Sequence, residues 1–473
     1  MFRFIDSAYS RWPESFPGYN PLQPRKRHTV SETTQTATRE LGDHRTNPGL
    51  GLVIAHHSTA RFVGSVTPVP AHGTLVLGRE GGGFSPGTME DSQISRHHVT
   101  VQTKGKTLVL KDLESRNGTT VNGNNISECT LDEGDVIGLG RILLLVIRLD
   151  PSRLRQPHPR LVGKSAALGR AIHLIERVGP HDLPVLILGE TGVGKELLAA
   201  EVHAHSGRRG RCVFVNCATL PDELIQSELF GHVRGAFSGA NQSRRGLVEE
   251  SRGGTLVLDE IGESSPKLQA NLLRLLQEKE ARPVGADQAH QVDVRFVSST
   301  NRDLPQRVQA GHFREDLYAR LNRCVIRMPP LRERREDILP LALHFAQQIA
   351  QAPVSLGAPL AQILLQGDWP GNARALQSIV DRIVIEHGTD QPLPVTDWLV
   401  DELALLPRCT PAPSSPPTKQ PTRSNRPTKQ EVIQVLETHD GHITATAQAL
   451  GIGRNTLYRW LKKWDIDPTS KRS

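Results

Sequence analysis

The fold of this chain is decided by seven residues, Gly189-Glu190-Thr191-Gly192-Val193-Gly194-Lys195. An apolar run, Val185–Leu188, precedes them, and a helix-forming run, Glu196–Val202, follows. Glycines at this spacing let backbone N–H groups converge on a phosphate, and the lysine can reach the β- and γ-phosphate oxygens. The GxxxxGK spacing alone arises by chance fairly often. With a strand before it and a helix after it, the pattern predicts a phosphate-binding loop.

The surrounding sequence predicts an α/β domain. From Leu161 to about Pro330, helical stretches alternate with apolar runs, which are Val185–Leu188, Val213–Val215, Leu256–Leu258 and Val294–Val297. Such alternation is typical of a parallel sheet covered by helices. The third run ends in Asp259 and Glu260, of which the first is suited to hold Mg²⁺ and the second to orient an attacking water. A solvated strand end is the alternative, which the nearby phosphate loop disfavours.

A hexapeptide between these two features has no use in nucleotide chemistry. It is Gly235-Ala236-Phe237-Ser238-Gly239-Ala240. The two glycines give the backbone freedom to move, and the single aromatic supplies an apolar contact to a partner. The sequence therefore predicts a mobile tip that grips another protein, with a glycine-rich surface hairpin as the alternative.

The hexapeptide and the phosphate loop resemble those of the sigma-54-dependent transcriptional activators, AAA+ ATPases that remodel a stalled RNA polymerase. The resemblance runs from about Leu161 to the C-terminus. Ser238 stands where the family usually has threonine, and Glu196 follows the lysine as in the family's GETGxGKE loop. The resemblance implies that residues 235–240 contact sigma-54 and that ATP and Mg²⁺ are the cofactors.

Further matches to the family imply roles for single residues. Asn216 matches the asparagine that restrains the catalytic glutamate in a nucleotide-dependent way. Thr300 and Asn301 match the end of the sensor I strand, where they would report on the γ-phosphate. The segment WPGNARAL is similar to the family's WPGNVREL and places sensor II at Arg374, although Ala375 replaces the glutamate.

Two arginines are assigned to catalysis in trans. The segment FREDLYARL resembles the family's FREDLYYRL, which implies that Arg314 and Arg320 reach the nucleotide of a neighbouring subunit. An arginine supplied in trans neutralises charge that develops only in the transition state. The active enzyme would then be a homo-oligomeric ring, with a hexamer as the expected form. A solvated helix face is the alternative interpretation.

From Gly51 to about Leu149, short β-type runs separated by Gly and Asn turns, among them Ile142–Ile147, indicate an all-β sandwich. The motifs GR, SRHH and SRNGT follow in order and resemble those of the forkhead-associated (FHA) domain, which implies phosphothreonine binding. The residues assigned to this ligand are Arg79, Ser95, Arg96, Arg116 and Asn117. Arginine and hydroxyl groups suit a phosphate, and the asparagine can hold the peptide backbone. His98 is expected to pack inside. The alternative is a sandwich that has kept the fold and lost the ligand.

The C-terminal region predicts contact with DNA. From Arg408 onward there are eleven Lys/Arg and five Asp/Glu, so this tail supplies +6 of the chain's net charge of +7. Lys429–Thr438 places Val432, Ile433 and Leu436 on one helical face, and a helix from Gly453 turns Leu457 and Leu461 to the core. Helix, glycine turn and basic helix form a helix-turn-helix, which resembles the Fis-type domain. The side chains assigned to DNA are Arg454, Asn455, Thr456, Tyr458, Arg459 and Lys462. A protein dock is the alternative.

Cysteine usage and hydropathy indicate the cytoplasm. The five cysteines form no CxxC pair, which favours reduced thiols. No apolar run approaches the length needed to span a bilayer, and the N-terminus lacks a signal-peptide core.

We therefore expect a multidomain bacterial enhancer-binding protein. An all-β FHA sandwich precedes a central α/β AAA+ domain with a helical lid, and an all-α helix-turn-helix follows. It would bind upstream DNA, hydrolyse ATP to remodel the closed complex of the sigma-54 RNA polymerase holoenzyme, and respond to a phosphothreonine protein. The alternatives are an AAA+ remodeller that does not act in transcription and a non-catalytic DNA-binding adaptor. The predicted bounds are 1–50 (disordered tail), 51–149 (FHA), 150–160 (linker), 161–406 (AAA+, lid from about 331), 407–428 (Pro/Ser/Thr-rich linker) and 429–468 (helix-turn-helix).

Overall fold

The computed structural model describes residues 49–105, 107–153, 158–218, 221–237, 240–388, 391–396 and 398–399, together with Val432, Leu436, Thr446 and Leu461. The chain divides into two compact units, Met1–Cys409 and Thr410–Ser473. In the second unit the four described residues are helical and buried, which confirms the predicted core positions of Val432, Leu436 and Leu461. The predicted N-terminal tail up to residue 48 lies outside the described residues.

The first domain of the larger unit is a sandwich of two antiparallel sheets, as predicted. Their strand orders are β2-β1-β10-β9-β6-β7 and β3-β4-β5-β8. The strands are β1 (Leu50–His56), β2 (Val66–Pro68), β3 (Thr74–Leu77), β4 (Val99–Lys104), β5 (Thr107–Asp112), β6 (Thr119–Val121), β7 (Asn124–Ile126), β8 (Glu128–Leu131), β9 (Val136–Leu139) and β10 (Ile142–Arg148). Alternate residues of facing strands, such as Leu77 and Leu144, fill the space between the sheets.

The second domain contains the predicted parallel sheet. Its order is β12-β15-β18-β11-β19, and every neighbouring pair is parallel. The strands are β11 (Val185–Leu188), β12 (Cys212–Asn216), β15 (Thr255–Asp259), β18 (Arg295–Thr300) and β19 (Cys324–Arg327). Two short pairs stand apart from it, β13 (Gly231–His232) with β14 (Arg244–Arg245) and β16 (Glu280–Ala281) with β17 (His290–Gln291).

Helices cover this sheet and form the lid. They are α1 (Ala166–Val178), α2 (Lys195–Ala204), α3 (Asp222–Phe230), α4 (Leu247–Glu250), α5 (Pro266–Glu278), α6 (Leu304–Gln309) and α7 (Glu315–Leu321). The lid contains α8 (Ile338–Ala350), α9 (Ala358–Gln366) and α10 (Asn372–His387). Short 3-10 turns lie at Ala60–Phe62, Ile261–Glu263, Leu331–Glu333 and Arg335–Asp337. None of the helices in the described ranges combines the length and the apolar character that a membrane span requires.

Local sequence fixes where several helices begin. The Ser165 hydroxyl accepts a hydrogen bond from Leu168 N at the start of α1, and Ser265 does the same for Leu268 N before α5. Pro266 occupies the first position of α5, where no N–H partner is needed. Such caps satisfy backbone donors that the helix itself leaves unpaired.

One buried carboxylate joins the lid to the segment before α1. Asp337 is completely buried and accepts hydrogen bonds from Lys164 N at 2.8 Å, Ser165 N at 2.9 Å and the Ser165 hydroxyl at 2.5 Å. Arg334, also buried, lies 3.7 Å from it and donates to Val193 O in the phosphate loop at 2.9 Å. These polar contacts hold the lid in one place against the sheet domain.

Candidate functional site

The phosphate loop turns on two glycines in the left-handed region. Gly192 has a φ of +79° and Gly194 a φ of +102°, and α2 begins at the next residue. A side-chain carbon at Gly192 would lie 2.2 Å from the carbonyl oxygen of Gly371 in the lid, so no larger residue fits. Backbone N–H groups and the positive end of the α2 dipole therefore face one point, which makes an anion site.

The ammonium group of Lys195 is held inside this loop. Its Nζ donates to Gly189 O at 3.0 Å and to Glu190 O at 3.3 Å, and it lies 3.3 Å from Glu260 Oε1. The lysine is buried, with 7% exposure. The structure thus places a fixed positive charge where the loop would hold a phosphate.

The two acidic residues after β15 have different partners. Asp259 accepts a hydrogen bond from the Ser299 hydroxyl at 2.6 Å, across the neighbouring strand β18. Glu260 has a left-handed backbone with φ of +52°, and its Oε2 accepts from Asn301 N at 3.3 Å. Such a backbone costs about 1–3 kcal/mol outside glycine and persists where surrounding contacts enforce it. The carboxylate of Glu260 is therefore fixed between Lys195 and the end of β18.

Successive side chains at the end of β18 point in different directions. Asn301 donates from Nδ2 to the Thr191 hydroxyl at 3.1 Å, which joins the predicted sensor to the phosphate loop. Thr300 is completely buried, and its hydroxyl accepts from Arg302 N at 3.1 Å. Ser299, which is not among the predicted site residues, contacts Asp259 instead. The signal for it was present, since a serine at the end of an otherwise apolar strand next to an aspartate invites a hydrogen bond.

A cleft of about 520 Å³ joins the phosphate loop, the acidic pair and the lid. The predicted residues that line it are Thr191, Gly192, Gly194, Lys195, Glu196, Asn216, Asp259, Glu260 and Arg374. Leu197 of α2 and three lid residues, Phe345, Ala373 and Gln377, complete the wall and are not predicted. Magnesium is typically held by one or two carboxylates together with phosphate oxygens and water, so the Asp259 carboxylate in this wall fits that ion.

The carboxylate of Glu190 is bound by two lid side chains. Arg332 donates to its two oxygens at 2.9 Å and 2.6 Å, and Asn372 donates from Nδ2 to Glu190 Oε2 at 3.1 Å and to Thr191 O at 3.0 Å. The hydrogen bond from Arg332 lowers the pKa of the Glu190 carboxyl below its usual value. Asn372 is completely buried, and its Oδ1 accepts from Leu331 N at 2.7 Å. Sequence reasoning missed both Arg332 and Asn372, which join the lid to the phosphate loop.

The two arginines assigned to catalysis in trans lie elsewhere. Arg314 precedes α7 and forms a two-pronged ion pair with Asp316, at 3.0 Å and 2.7 Å. Arg320, in α7, lines a separate cavity of about 260 Å³ with Asp182 and Arg323. Among the described residues, neither arginine lines the nucleotide cleft of its own chain.

The described residues of the hexapeptide, 235–237 and 240, form the base of a turn and carry an exposed aromatic. Phe237 is 42% exposed, and its ring meets the edge of the His232 ring at a centroid distance of 5.0 Å. Gly235 N donates to Ala240 O at 2.9 Å, which closes the base of the turn. Ser238 and Gly239 lie outside the described residues. A side-chain carbon at Gly285 would lie 2.8 Å from Ala236, so the 282–291 segment backs the turn closely.

The predicted phosphothreonine residues lie on linked loops of the FHA domain. The Ser95 hydroxyl accepts from Arg116 N at 3.1 Å, and Asn117 donates from Nδ2 to Gln93 O at 2.8 Å. Arg79 N donates to Ser95 O at 3.0 Å. The Arg96 side chain is exposed and lies 3.6 Å from Glu80. The structure therefore brings the five predicted residues to one edge of the sandwich.

A buried histidine holds these loops together. His98 is completely buried, as predicted. Its Nδ1 accepts from Ser95 N at 3.0 Å, and its Nε2 lies 3.1 Å from Gly118 O. Since Nδ1 accepts, Nε2 carries the proton and donates. The imidazole thus spans the two loops that carry Ser95 and Asn117.

The six side chains assigned to DNA are Arg454, Asn455, Thr456, Tyr458, Arg459 and Lys462. They lie outside the described residues, so this assignment stays a prediction.

Family models match four consecutive parts of the chain. The sigma-54 interaction domain matches residues 161–327, and the AAA+ ATPase lid domain matches residues 332–398. The FHA domain matches residues 75–140, and the model described as bacterial regulatory protein, Fis family, matches residues 429–464.

Curated proteins and solved structures show similar chains. The transcriptional regulatory protein ZraR of Klebsiella oxytoca is 43% identical over 314 residues, which cover 64% of this chain and 68% of that protein. The Nif-specific regulatory protein of Klebsiella pneumoniae is 48% identical over 232 residues, 48% of this chain and 44% of that protein. The crystal structure of NtrX from Brucella abortus in complex with ADP has 34% sequence identity and a TM-score of 0.48, and the match covers 65% of this chain and 70% of that chain.

Proposed function

The chain belongs to the sigma-54-dependent transcriptional activators, with an FHA domain before its AAA+ domain and a Fis-type helix-turn-helix after it, and we propose that it hydrolyses ATP to open promoter complexes. Its substrate would be Mg²⁺-ATP, and its target the sigma-54 RNA polymerase holoenzyme in the closed complex. The proposal rests on one observation above all, the short connection between the nucleotide cleft and the exposed Phe237 turn.

That connection is a single stretch of chain. Asn216 ends β12 and lines the cleft, α3 follows, and β13 leads directly into the turn at Gly235. Asn216 also caps the departing chain, because its Oδ1 accepts from Ala218 N at 2.8 Å. A displacement of Asn216 when the γ-phosphate is lost would move α3 and so the turn. Phe237 would then push on sigma-54 through its exposed ring.

The side chains in the cleft would divide the hydrolysis step among them. Lys195 and the N-terminus of α2 would bind the phosphate oxygens, and Asp259 would hold Mg²⁺, whose charge would offset the negative charge that develops in the transition state. Glu260 orients the attacking water. Asn301 reports on the γ-phosphate, and Arg374 contacts the nucleotide from the lid. Because Arg314 and Arg320 lie away from their own cleft, we assign them to the nucleotide of the next subunit in a homo-oligomeric ring.

The C-terminal domain would locate the protein on DNA, and the FHA domain would regulate its activity. The helix-turn-helix would bind upstream DNA. At the FHA edge, Arg79 and Arg96 would pair with the phosphate of a phosphothreonine, and Asn117 would hold the peptide backbone. A substrate of a Ser/Thr kinase is therefore the expected regulatory partner.

Two variants of the full chain test the proposal. We expect Glu260→Gln to lose ATP hydrolysis while still binding ATP, since it removes only the water-orienting charge. We expect Phe237→Ser to hydrolyse ATP normally and to fail in open-complex formation on a sigma-54 promoter. Normal promoter opening by Phe237→Ser would contradict the proposed output. A wild-type chain that hydrolyses ATP without opening any sigma-54 promoter would instead be an AAA+ remodeller of another target.

A further inference from the structure

The last strand of the FHA domain is buried on both faces. In an antiparallel sandwich one face of a strand usually contacts solvent, so apolar and polar residues alternate. Strand β10 instead carries six consecutive apolar residues, Ile142–Ile147, and all six are buried. Ile142, Leu144 and Val146 fill the sandwich. Leu143, Leu145 and Ile147 point the other way and need a second partner.

The lid is that partner. Leu143, Leu145 and Ile147 belong to the same hydrophobic cluster as Leu339 of α8 and Leu360 of α9. Val53 and Ala55 of β1 and Val136 of β9 lie in it too. Together these six FHA residues form the outer face of the domain, which packs on the lid.

The same cluster reaches the helix that carries the sensor. Trp369 and Leu376, both completely buried, belong to it, and Leu376 lies in α10, two residues after Arg374. The FHA outer face therefore shares one apolar core with the helix that brings Arg374 to the nucleotide cleft. A change in how the outer face packs can reach this helix through the shared cluster, which borders a cavity of about 630 Å³ lined by Val53, Ala55 and Leu339.

Polar contacts at the rim fix the orientation of the two domains. Arg335 donates from Nη1 to Gly134 O, before β9, at 3.0 Å. Arg153, just after the FHA domain, forms an ion pair with Glu336 of the lid. A side-chain carbon at Gly123 would lie 3.1 Å from Gln362 Nε2 in α9, which shows how closely the β6–β7 turn approaches the lid.

One short strand connects this turn to the phosphothreonine site. Only strand β6, three residues long, separates the loop of Asn117 from Asn122. Asn122 donates from Nδ2 to Asp135 at 2.8 Å, and its Oδ1 accepts from Val136 N at 3.0 Å. Val136 belongs to the cluster shared with the lid. A ligand that orders the loop of Asn117 would therefore stabilise the turn that packs against α9.

We propose that the FHA outer face is a docking surface for the lid of its own chain, and that it couples the phosphothreonine site to nucleotide affinity with a positive sign. Docked as observed, the lid presents Arg374 to the cleft, so docking favours ATP binding. Peptide binding at the FHA edge strengthens docking and hence ATP binding. By linkage, nucleotide strengthens peptide binding by the same factor. The coupling rests on the proposed function, since it links its two ligands.

The test uses the full chain and two variants that separate the domains. Leu145→Asp places a charge in the shared core but outside the FHA sandwich, and Arg335→Ala removes the rim contact from the lid side. Thr130→Asp is the matched control, because Thr130 is exposed on the other sheet of the same domain. The peptide probe is a library with one fixed phosphothreonine and randomised flanks, and the same library without phosphate is its control.

We expect Leu145→Asp to raise the KM for ATP about fivefold or more and to leave kcat unchanged. A change of this size lies within the usual range of coupling between two sites. Arg335→Ala should do the same to a smaller extent, and Thr130→Asp should behave as wild type. Amide hydrogen exchange in α8 and α9 should rise in Leu145→Asp and stay unchanged in β15. The phosphorylated library should lower the KM of wild type about fivefold and leave that of Leu145→Asp unaltered.

The docking proposal would be overturned if both Leu145→Asp and Arg335→Ala left the KM for ATP and the amide hydrogen exchange of α8 and α9 unchanged. A library that binds wild type without moving its KM would overturn the coupling. Two other results would contradict the proposed function itself and not only the coupling. A wild-type chain without ATPase activity would remove the hydrolysis assignment, and absence of any phosphate-dependent binding would remove the phosphothreonine assignment.

Discussion

Replacing Glu190 by glutamine should weaken ATP binding without slowing the chemical step. The change keeps the size of the side chain and removes its charge. Arg332 then loses its two-pronged ion pair, whose N–O distances are 2.9 Å and 2.6 Å. The NH2 group of the introduced glutamine also points a hydrogen at a group that can only donate. The nucleotide cleft has Arg374 in its lid wall, so a less firmly held lid should bind ATP less well.

The size of the effect follows from the exposure of the pair. A hydrogen bond to a charged group contributes about 1.5–3 kcal/mol when it is shielded from water. Here the side chains of Arg332 and Glu190 are 24% and 41% exposed, so solvent screens part of the attraction. Exposed ion pairs contribute only about 0–1 kcal/mol, which places this one near about 1 kcal/mol. Since about 1.4 kcal/mol corresponds to a tenfold change, we expect the KM to rise about fivefold.

Steady-state ATP hydrolysis by the full chain measures both constants. We expect kcat to stay within about twofold of wild type, because Glu260 and Asp259 keep their partners. Glu176→Gln is the matched control, as Glu176 is an exposed glutamate on α1 that pairs only with His173 in the described structure. A double-mutant cycle with Arg332→Leu isolates the pair from the other contacts of each side chain.

The outcome that refutes the reasoning is specific. A large fall in kcat at constant KM would show that Glu190 acts in the chemical step and not through the lid. Strictly additive effects of Glu190→Gln and Arg332→Leu would show that the contact between them carries no energy.

Three further predictions concern the core of the same domain. Ser299→Ala should lower kcat about tenfold, because Asp259 loses a charge-assisted hydrogen bond worth about 1.5–3 kcal/mol. ATP hydrolysis measured over a range of Mg²⁺ concentrations tests this, and a curve identical to that of wild type would count against it. Asp337→Ala should lower the free energy of unfolding, measured in urea, by about 3–5 kcal/mol, because buried donors lose their acceptor and Arg334 loses its ion-pair partner while it keeps the hydrogen bond to Val193 O. A loss below about 1 kcal/mol would contradict this. Burial raises the pKa of the Cys217 thiol to about 12, so it stays protonated at pH 8, and mass spectrometry after iodoacetamide treatment should find it unmodified until the chain unfolds.

The sequence predicted those features that depend on short stretches of chain. The strand Val185–Leu188 was expected at the residues where it lies, because four apolar residues precede a glycine turn. The convergence of Lys195, Asp259 and Glu260 was also predictable, since the carboxyl ends of parallel strands meet at one edge of a sheet. His98 could be placed in the interior because the loops it spans need an internal anchor.

Contacts between distant parts of the chain were not predictable. Arg332 and Asn372 are 142 and 182 residues away from Glu190, and nothing in their local sequence points to it. The apolar run of β10 was visible, but it was interpreted as one strand of a sandwich. Its second buried face becomes clear only when the lid is seen against it. Thr300 was expected at the γ-phosphate because of its motif. Successive side chains of a strand point to opposite faces, and it is the neighbouring Ser299 that contacts Asp259.

The position of Lys195 suggests how nucleotide binding prepares the site for hydrolysis. The lysine now lies 3.3 Å from Glu260, and the two side chains are 7% and 18% exposed. One ammonium group cannot remain fully paired with this carboxylate while it also binds the oxygens of a triphosphate, which carry more negative charge. ATP should therefore draw Lys195 away from Glu260, which keeps the hydrogen bond from Asn301 N. Because the backbone of Glu260 is already in the left-handed region, a rotation of its side chain is enough to turn the carboxylate to water. The positive charge that restrains this carboxylate in the structure is the one that ATP draws away.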